Sequence, residues 1–400
     1  MARTDWFWEI RLPSGVENRD RLAARIRVGV LSHLESLGID PSSNEPPSKE
    51  AIRKAHEQQR IDVLISERTR LSENLTLLIE NFAIGKDVKP DRIDPELVLV
   101  NSNDETGLIF RLACTLWSVP VSKGYGRRMR FLVRDKSNQK LIGIFALGDP
   151  VAGMSARDSW IKWDVGQRRE KLNCVLDAYV CGAVPPYNML LGGKLVVSLM
   201  GSKEVINLFD EKYRFAPNHW GKYRFPRLAL ITVTSALGRS SLYNRVKLEG
   251  LVELKHVGSS TKGWGHFQIP SYLFEEMRKL LEMDGHWYAT GYKYGDRPNW
   301  KMRAIREALK KVELNPNLLL HGISREVFAM PLASNWQEFL LGSDKDCNLN
   351  RPSADEISKA AISRWMLPRS QRDSTFRGWT KRDRASLFDP LMYAGSEIAD

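Results

Sequence analysis

Cysteine is scarce in this sequence, and no two cysteines form a CxxC pair. The four residues, Cys114, Cys174, Cys181 and Cys347, are spread over a chain of 400 residues. Disulfide-stabilised scaffolds and zinc ribbons need closely spaced cysteines, so the sequence excludes both classes. The spacing predicts free thiols, which are typical of proteins in a reducing cytoplasm.

Long apolar runs are also lacking. A membrane-spanning helix needs about 20 consecutive apolar residues. The most apolar stretch, residues 171–194, contains Asp177 and two consecutive prolines. Asp5 and Glu9 lie where a secretory signal would carry its apolar segment. We therefore expect a cytoplasmic protein with no contact to a membrane.

The motifs of several enzyme classes are missing as well. No GxxxxGK[ST] motif occurs, so the chain is not itself predicted to be an ATP-driven motor. The seven histidines show no metal-ligand spacing such as HExxH, and no metal site is predicted. Asp149 with Glu253 and Lys255 is superficially similar to a metal-dependent nuclease set. Those carboxylates are too far apart in the sequence for the usual strand-to-strand spacing, which disfavours a nuclease.

Positive charge is abundant and unevenly distributed. The chain has 60 Lys and Arg residues against 48 Asp and Glu residues, a formal net charge of +12. Residues 151–270 contain 17 basic and 9 acidic side chains, and a second basic excess lies within 359–384. Localised positive charge favours a phosphate-rich partner, because counterions are released when such a partner binds. A basic soluble protein that binds no polyanion is the alternative.

Hydrophobic periodicity divides the chain into a helical beginning and an α/β centre. Apolar residues recur at helical spacing over 21–37 and 61–82, which predicts an N-terminal helical module over 1–95. Alternating strands on either side of the turn 135–138 predict a hairpin. Further strands are predicted over 175–184, 228–234 and 251–257, with a helix over 195–212 broken near Gly201 and Ser202. Strands that alternate with helices predict an α/β (α+β) fold with a mixed-sheet core over 96–270.

The rest of the chain is predicted to be helical over 271–345 and to end in a peripheral tail over 346–400. The tail mixes basic residues with Trp365, Phe376 and Trp379. Such a segment can stack on a single strand and neutralise its phosphates. Alternatively, its aromatic residues pack back onto the core and its basic residues face outward.

Two basic elements are candidates for contact with nucleic acid. The first is a glycine-containing turn that leads into the hairpin, and the second interleaves two indoles with charges of both signs. The candidate residues are Lys123, Arg127, Arg128, Arg130, Arg157, Trp160, Lys162 and Trp163. The alternatives are a solvated hairpin entry for the first element and core anchors for the second.

A strand followed by a glycine turn and a helix forms a candidate anion site at Leu191, Gly192, Gly193 and Lys194. The order of strand, turn, helix, strand and a short Leu-Tyr helix resembles the acyl-CoA N-acyltransferase fold. That resemblance implies a CoA-like ligand, with its pyrophosphate at this turn and Tyr243 as the general acid for the departing thiolate. The adjacent glycines depart from the superfamily spacing. A core used only for binding, or a turn that needs glycine only for packing, are the alternatives.

Four dense blocks, 117–128, 141–150, 157–164 and 177–194, resemble the DruA family of the Druantia antiphage defence systems of bacteria. The resemblance implies one component of a multi-protein system that acts with a large helicase-like partner. It implies no particular reaction. We therefore carry two hypotheses: a nucleic-acid-binding or adaptor subunit, and an acyltransferase-like enzyme that modifies nucleic acid or protein.

Overall fold

The computed structural model describes residues 18–41, 47–119, 121, 126–217, 225–260, 263–266, 268–289, 300–389 and 391. The chain divides into two compact units, and each is built from two segments. One unit comprises 1–55 and 264–322, and the other comprises 56–263 and 323–400. The four consecutive domains expected from the sequence stay a prediction.

Helices form most of the smaller unit and surround the sheet of the larger one. None of those in the described part of the chain combines the length and the hydropathy that a bilayer crossing needs. Their bounds are α1 Arg19–Ser36, α2 Lys49–Leu71, α3 Leu75–Ile79, α4 Glu105–Cys114, α5 Ser155–Ile161, α6 Val165–Lys171, α7 Gly192–Leu199, α8 Lys203–Tyr213, α9 Ser271–Met283, α10 Trp300–Lys311, α11 Trp336–Leu341, α12 Ala354–Ala361, α13 Leu367–Arg372 and α14 Lys381–Ser386.

The smaller unit is tied together by ion pairs between its helices. Asp284, at the end of α9, accepts a hydrogen bond from Arg19 Nε of α1 at 3.0 Å, and Lys311 Nζ of α10 lies 2.6 Å from its other oxygen. Gly29 lies where α1 meets α9, and a Cβ there would stand 2.8 Å from Leu273 Cδ2. One carboxylate therefore links three helices that are distant in the sequence.

The larger unit contains a seven-stranded mixed sheet and a two-stranded one. The larger sheet has the order β1-β2-β3-β4-β5-β9-β8, and β6 pairs with β7. Within the larger sheet only β4 and β5 run parallel, and the other neighbours are antiparallel. The bounds are β1 Pro95–Leu99, β2 Arg128–Asp135, β3 Lys140–Gly148, β4 Val175–Ala183, β5 Leu230–Thr234, β6 Lys247–Leu248, β7 Val252–Glu253, β8 Lys255–Ser260 and β9 Arg325–Pro331.

The α/β class and the mixed sheet predicted from the sequence are confirmed, as is the β2–β3 hairpin. The predicted break near Gly201 is also confirmed, since α7 ends at Leu199 and α8 begins at Lys203. The single strand predicted over 251–257 is wrong. It is two strands, because the backbone amide of Leu254 donates to Val246 O beside the small sheet before β8 joins the large one.

Both faces of the large sheet are covered. Phe131 and Phe145 stack on one face, with ring centroids 4.6 Å apart, in the cluster that also contains α7. Leu132 and Ile144 point to the other face, where Phe110 of α4 packs. A central strand that is buried on both sides needs apolar residues at successive positions, which explains the nearly unbroken apolar run of β3.

The expectation of a peripheral tail is corrected by the packing of its aromatic residues. Trp365, Phe376 and Phe388 are all buried in the clusters on the two faces of the sheet. Arg384 is also buried, where it pairs with Glu80 and donates to Phe82 O at 3.1 Å. Burial of large aromatic surface stabilises this arrangement, so the packing alternative holds for these residues.

Candidate functional site

The parallel strands β4 and β5 pair at their beginnings and then separate. Their register runs from Val175 opposite Leu230 to Ala178 opposite Val233. Beyond Ala178, β4 continues to Ala183 beside β3, while β5 ends at Thr234. This split between the strands lies at their carboxyl ends, the position at which ligands of α/β sheets commonly bind. We call it the β4–β5 opening.

The glycine turn predicted from the sequence lies beside this opening. Leu191 adopts a left-handed conformation with φ of 62°, and α7 begins at Gly192. A Cβ on Gly192 would stand only 2.7 Å from Tyr187 O, so the tight crossover requires glycine there. A Cβ on Gly193 would stand 3.5 Å from Leu242, an ordinary contact. Packing therefore explains Gly192, whereas Gly193 lies at the helix N-terminus under the Leu242 side chain.

Three cations gather around the start of α7. Burial lowers the pKa of the Lys194 ammonium, and the positive charges of Arg245 and Arg364 lower it further. The Lys194 ammonium also lies 5.1 Å from the ring centroid of Trp365. In the described part of the chain, no carboxylate forms an ion pair with any of the three. We call Lys194, Arg245 and Arg364 the cationic triad.

Tyr243 reaches into the opening from the short 3-10 helix after β5. Its Oη lies 3.3 Å from Cys181 Sγ of β4, and its ring meets Phe328 edge to face. Burial raises the pKa of the Tyr243 hydroxyl well above its usual range, and Cys181 and Asp177 raise it further. Burial also raises the pKa of the Cys181 thiol to about 12. Both groups are therefore protonated at neutral pH.

Asp177 is an acidic side chain at the point where the strands separate, on β4. It accepts a hydrogen bond of 2.7 Å from the Thr232 hydroxyl of β5. Burial raises the pKa of the Asp177 carboxyl, and the Thr232 hydrogen bond and the charge of Arg157 oppose that shift. A carboxyl, a phenol and a thiol therefore lie buried around the carboxyl-terminal part of β4 and the segment after β5.

The predicted turn arginines lie elsewhere, at the start of β2. Arg127 pairs with Asp149 at 2.8 Å and lies over the rings of Phe209 and Tyr213. Arg128 holds the end of α8 through its backbone, because its carbonyl accepts from Tyr213 Oη at 2.8 Å. Arg127 is therefore partly neutralised. Arg130, also predicted to contact nucleic acid, donates to Ser102 Oγ at 2.8 Å. Lys123, the remaining predicted residue of the turn, lies outside the described residues.

The indole-containing element is mostly internal. Arg157 is fully buried and bonded to Asp158 at 2.7 Å, and Trp163 Nε1 donates to the same carboxylate at 3.0 Å. Trp160 stacks on Trp336 with ring centroids 4.3 Å apart. Arg157 and Trp163 are buried, which favours the core-anchor alternative for these two residues. Trp160 is half-buried with Trp336 against one of its faces, and its contact with nucleic acid stays a prediction.

Lys162 is the exposed member of this element. It ends α5 in a left-handed conformation, with φ of 67°.

Asp149 and Glu253, the carboxylates of the disfavoured nuclease set, pair with Arg127 and Lys247 respectively. Among the residues that the structure describes, no group of three or more His, Cys, Asp or Glu side chains could hold a metal ion.

Several residues near the β4–β5 opening could not be identified as site residues from the sequence. Asp177 and Cys181 lie within an apolar strand and match no catalytic or ligand-binding motif, although the strand belongs to a block that resembles the DruA family. Arg245 and Arg364 belong to segments far apart in the chain. The one available signal is Asp177 itself, since a carboxylate within a buried strand needs a partner. Its partner, Thr232, is identified only by the register of β4 and β5.

The comparisons with known proteins agree with the sequence resemblance. The family model described as "Druantia protein DruA" matches residues 46–342. The chain belongs to the DruA family. Its similarity to the Druantia protein DruA of Escherichia coli (strain UMEA 4076-1) is 43% identity over 384 residues, which covers 94% of each chain. No solved structure matches. Membership of this family places the chain in a Druantia antiphage defence system.

Proposed function

We propose that this DruA-family chain is a nucleic-acid-binding subunit, and that its cationic triad holds phosphate groups at the edge of the β4–β5 opening. The observation that carries the proposal is that Lys194, in the first turn of α7, has two arginines, Arg245 and Arg364, as its charged neighbours. Like charges placed together disfavour the ionised form of each, and this cost is offset when an anion binds between them. Structural cations normally have acidic partners, whereas the triad has none among the described carboxylates.

The backbone adds to the attraction. α7 starts at Gly192, so the amides of Gly192 and Gly193 have no acceptor within the helix, whereas that of Lys194 donates to Leu191 O at 3.0 Å. The helix dipole is positive at this end. Such ends favour phosphate groups. The triad and the helix end together give an anion site without base-specific contacts. We therefore expect binding that depends on the phosphate backbone and little on sequence.

The resemblance to Druantia components supplies the setting for this activity. In the proposal, the chain recognises phage nucleic acid and presents it to a helicase-like partner. Lys162 is exposed and Arg128 and Arg130 are half-buried. Arg130 lies over Phe110, on the face of the sheet opposite α7, so contact of these residues with nucleic acid stays a prediction separate from the triad.

Salt dependence of binding tests the proposal. Fluorescence anisotropy with a labelled duplex should show affinity falling steeply as salt rises. In the double variant Arg245→Gln/Arg364→Gln, the slope of log affinity against log salt should shrink by about 2, and the affinity should fall at least tenfold at low salt. The matched control is Arg92→Gln, an exposed arginine of the same unit outside the triad. Equal binding by the double variant and the wild type would overturn the proposal.

A second candidate function, acyl transfer, is favoured by the position of Tyr243. The opening, the glycine turn and the triad suit a CoA-like ligand, whose pyrophosphate needs cations and free amides. Bound there, CoA would supply an activated acyl thioester. The Tyr243 hydroxyl is held in the protonated form inside the opening, where it could give its proton to a sulfur atom. Calorimetry with CoA tests this candidate, and no heat of binding at millimolar CoA would remove it.

A further inference from the structure

A cavity lies at the opposite ends of the same two strands. It has a volume of about 530 Å³ and is lined by residues that come just before β4 and β5, together with residues of α6 and α11. Asn173 and Cys174 precede β4, and Phe225 and Arg227 precede β5. Because β4 and β5 are parallel, this cavity lies at their beginnings and the β4–β5 opening at their ends. We call it the strand-start cavity.

The lining of the strand-start cavity is strongly basic. Arg169, Lys171, Arg227 and Lys345 contribute positive charge, and Glu170 is the one acidic residue among the lining side chains. Arg227 is partly neutralised, since its Nη1 lies 2.6 Å from Asp210 Oδ2. The lining therefore carries four basic side chains against one acidic side chain. A concave site lined by one sign of charge concentrates ligands of the opposite sign.

Two phenylalanine rings complete the lining. Phe225 is 57% exposed, although a residue of this size is normally buried, and its ring meets that of Phe215 edge to face at 5.9 Å between centroids. On the other side, Lys171 Nζ lies 4.0 Å from the ring centroid of Phe339. An exposed ring edge beside several cations suits a ligand with a flat face and a negative group.

We propose that the strand-start cavity binds one nucleotide unit, with its phosphate at Arg169, Lys171 and Lys345 and its base against Phe225. The volume falls within the range of about 300–1,000 Å³ for small-molecule sites, which is larger than a lone phosphate requires. A carboxylate ligand would use the cations but not the aromatic ring. The unit is either a free nucleotide or one residue of a single strand, since both present the same chemistry.

The test uses the whole protein and separate probes. Calorimetry with AMP, adenosine and inorganic phosphate should show AMP binding at least tenfold tighter than either fragment. The double variant Arg169→Glu/Lys345→Glu should lose at least tenfold in AMP affinity, while Lys89→Glu, an exposed lysine elsewhere in the same unit, should bind as the wild type does. Phe225→Ala should weaken AMP but leave any phosphate binding unchanged. Circular dichroism of each variant checks the fold.

The source of the unit is decided by a labelled eight-residue oligothymidylate in the same variants. Binding of AMP that depends on Arg169 and Lys345 identifies a free nucleotide. If only the oligothymidylate binds, and its binding depends on Arg169 and Lys345, the bound unit is one nucleotide of a single-stranded nucleic acid. If neither probe depends on these residues, or a glutamate-rich peptide binds as tightly as AMP, the proposal is wrong. The variant Arg245→Gln/Arg364→Gln should not change AMP binding, so this result is separable from the function proposed for the triad.

Discussion

The hydroxyl of Tyr243 lies 3.3 Å from the thiol of Cys181, across the opening where β4 and β5 no longer pair. This contact joins β4 to the segment after β5. Burial raises the pKa of both groups, so neither ionises at neutral pH. In one candidate function this buried phenol closes the base of the proposed binding site, and in the other it donates a proton there. The two candidate functions differ in which role they assign to Tyr243.

Tyr243→Phe separates the two roles. The change removes one hydrogen bond and keeps the ring against Phe328, so the free energy of unfolding should fall by about 1 kcal/mol. If the chain acts by binding nucleic acid, we expect a host with the complete Druantia system and this variant to keep its protection in a plaque assay. Loss of protection, with the melting temperature nearly unchanged, would favour the acyltransferase candidate instead.

The buried pair of Arg157 and Asp158 gives a prediction about stability. Arg157 is fully buried, and Asp158→Ala would leave its charge without the carboxylate. Removing one partner of such a pair typically costs about 3–5 kcal/mol of unfolding free energy. Denaturant unfolding followed by tryptophan fluorescence measures the change. Asp164→Ala is the control: it removes only an exposed helix cap, and about 1 kcal/mol is expected. Equal losses in the two variants would show that Arg157 finds other compensation.

The β2–β3 hairpin could be predicted from the sequence, whereas the packing of Arg157 and Trp160 could not. The hairpin of β2 and β3 could be predicted because its apolar alternation and its turn are local properties. The burial of Arg157 could not, since a segment with charges of both signs next to tryptophans reads equally well as a surface or as a core anchor. The stacking of Trp160 could not be predicted either, because its partner, Trp336, is remote in the sequence.

The candidate site shows the same limit. The glycine turn was visible because strand, glycine and helix follow one another along the chain. The triad was not visible, because Arg245 and Arg364 approach Lys194 only once β5 and the C-terminal helices are in place. The position of Asp177 opposite Thr232 depends on the register of two parallel strands, which sequence periodicity alone does not set.

Gly85 gives a prediction about the docking of the C-terminal segment. A Cβ at this position would stand 2.2 Å from Phe376 O and 2.5 Å from Arg377 O. Backbone atoms cannot move aside as a flexible side chain can, so Gly85→Ala should lower the unfolding free energy by about 1–3 kcal/mol. The matched control is Gly378→Ala, where a Cβ would meet nothing within 4 Å. Thermal melts of both variants make the comparison, and similar melting temperatures would contradict the close packing of Gly85.

The ion pairs of Asp284 make a prediction about pH. Hydrogen bonds from Arg19 and then Lys311 lower the pKa of the Asp284 carboxyl below its usual value. A carboxyl with a lowered folded-state pKa stabilises the fold above its unfolded pKa of about 3.9, and this contribution is lost as the pH falls through the folded pKa. Asp284→Asn should therefore lower the unfolding free energy at pH 7 by about 1 kcal/mol, after allowing for solvent screening.

The difference between Asp284→Asn and the wild type should shrink as the pH falls below 4, because the wild-type carboxyl then gains its proton. Melting temperatures at pH 7 and at about pH 3 measure the difference. Asp20→Asn is the matched control, since Asp20 also contacts Arg19 but its side chain is 80% exposed. The melting temperature of Asp20→Asn should equal that of the wild type at both pH values. A loss for Asp284→Asn that stays the same at both pH values would show that packing, and not the charge of Asp284, holds α1, α9 and α10 together.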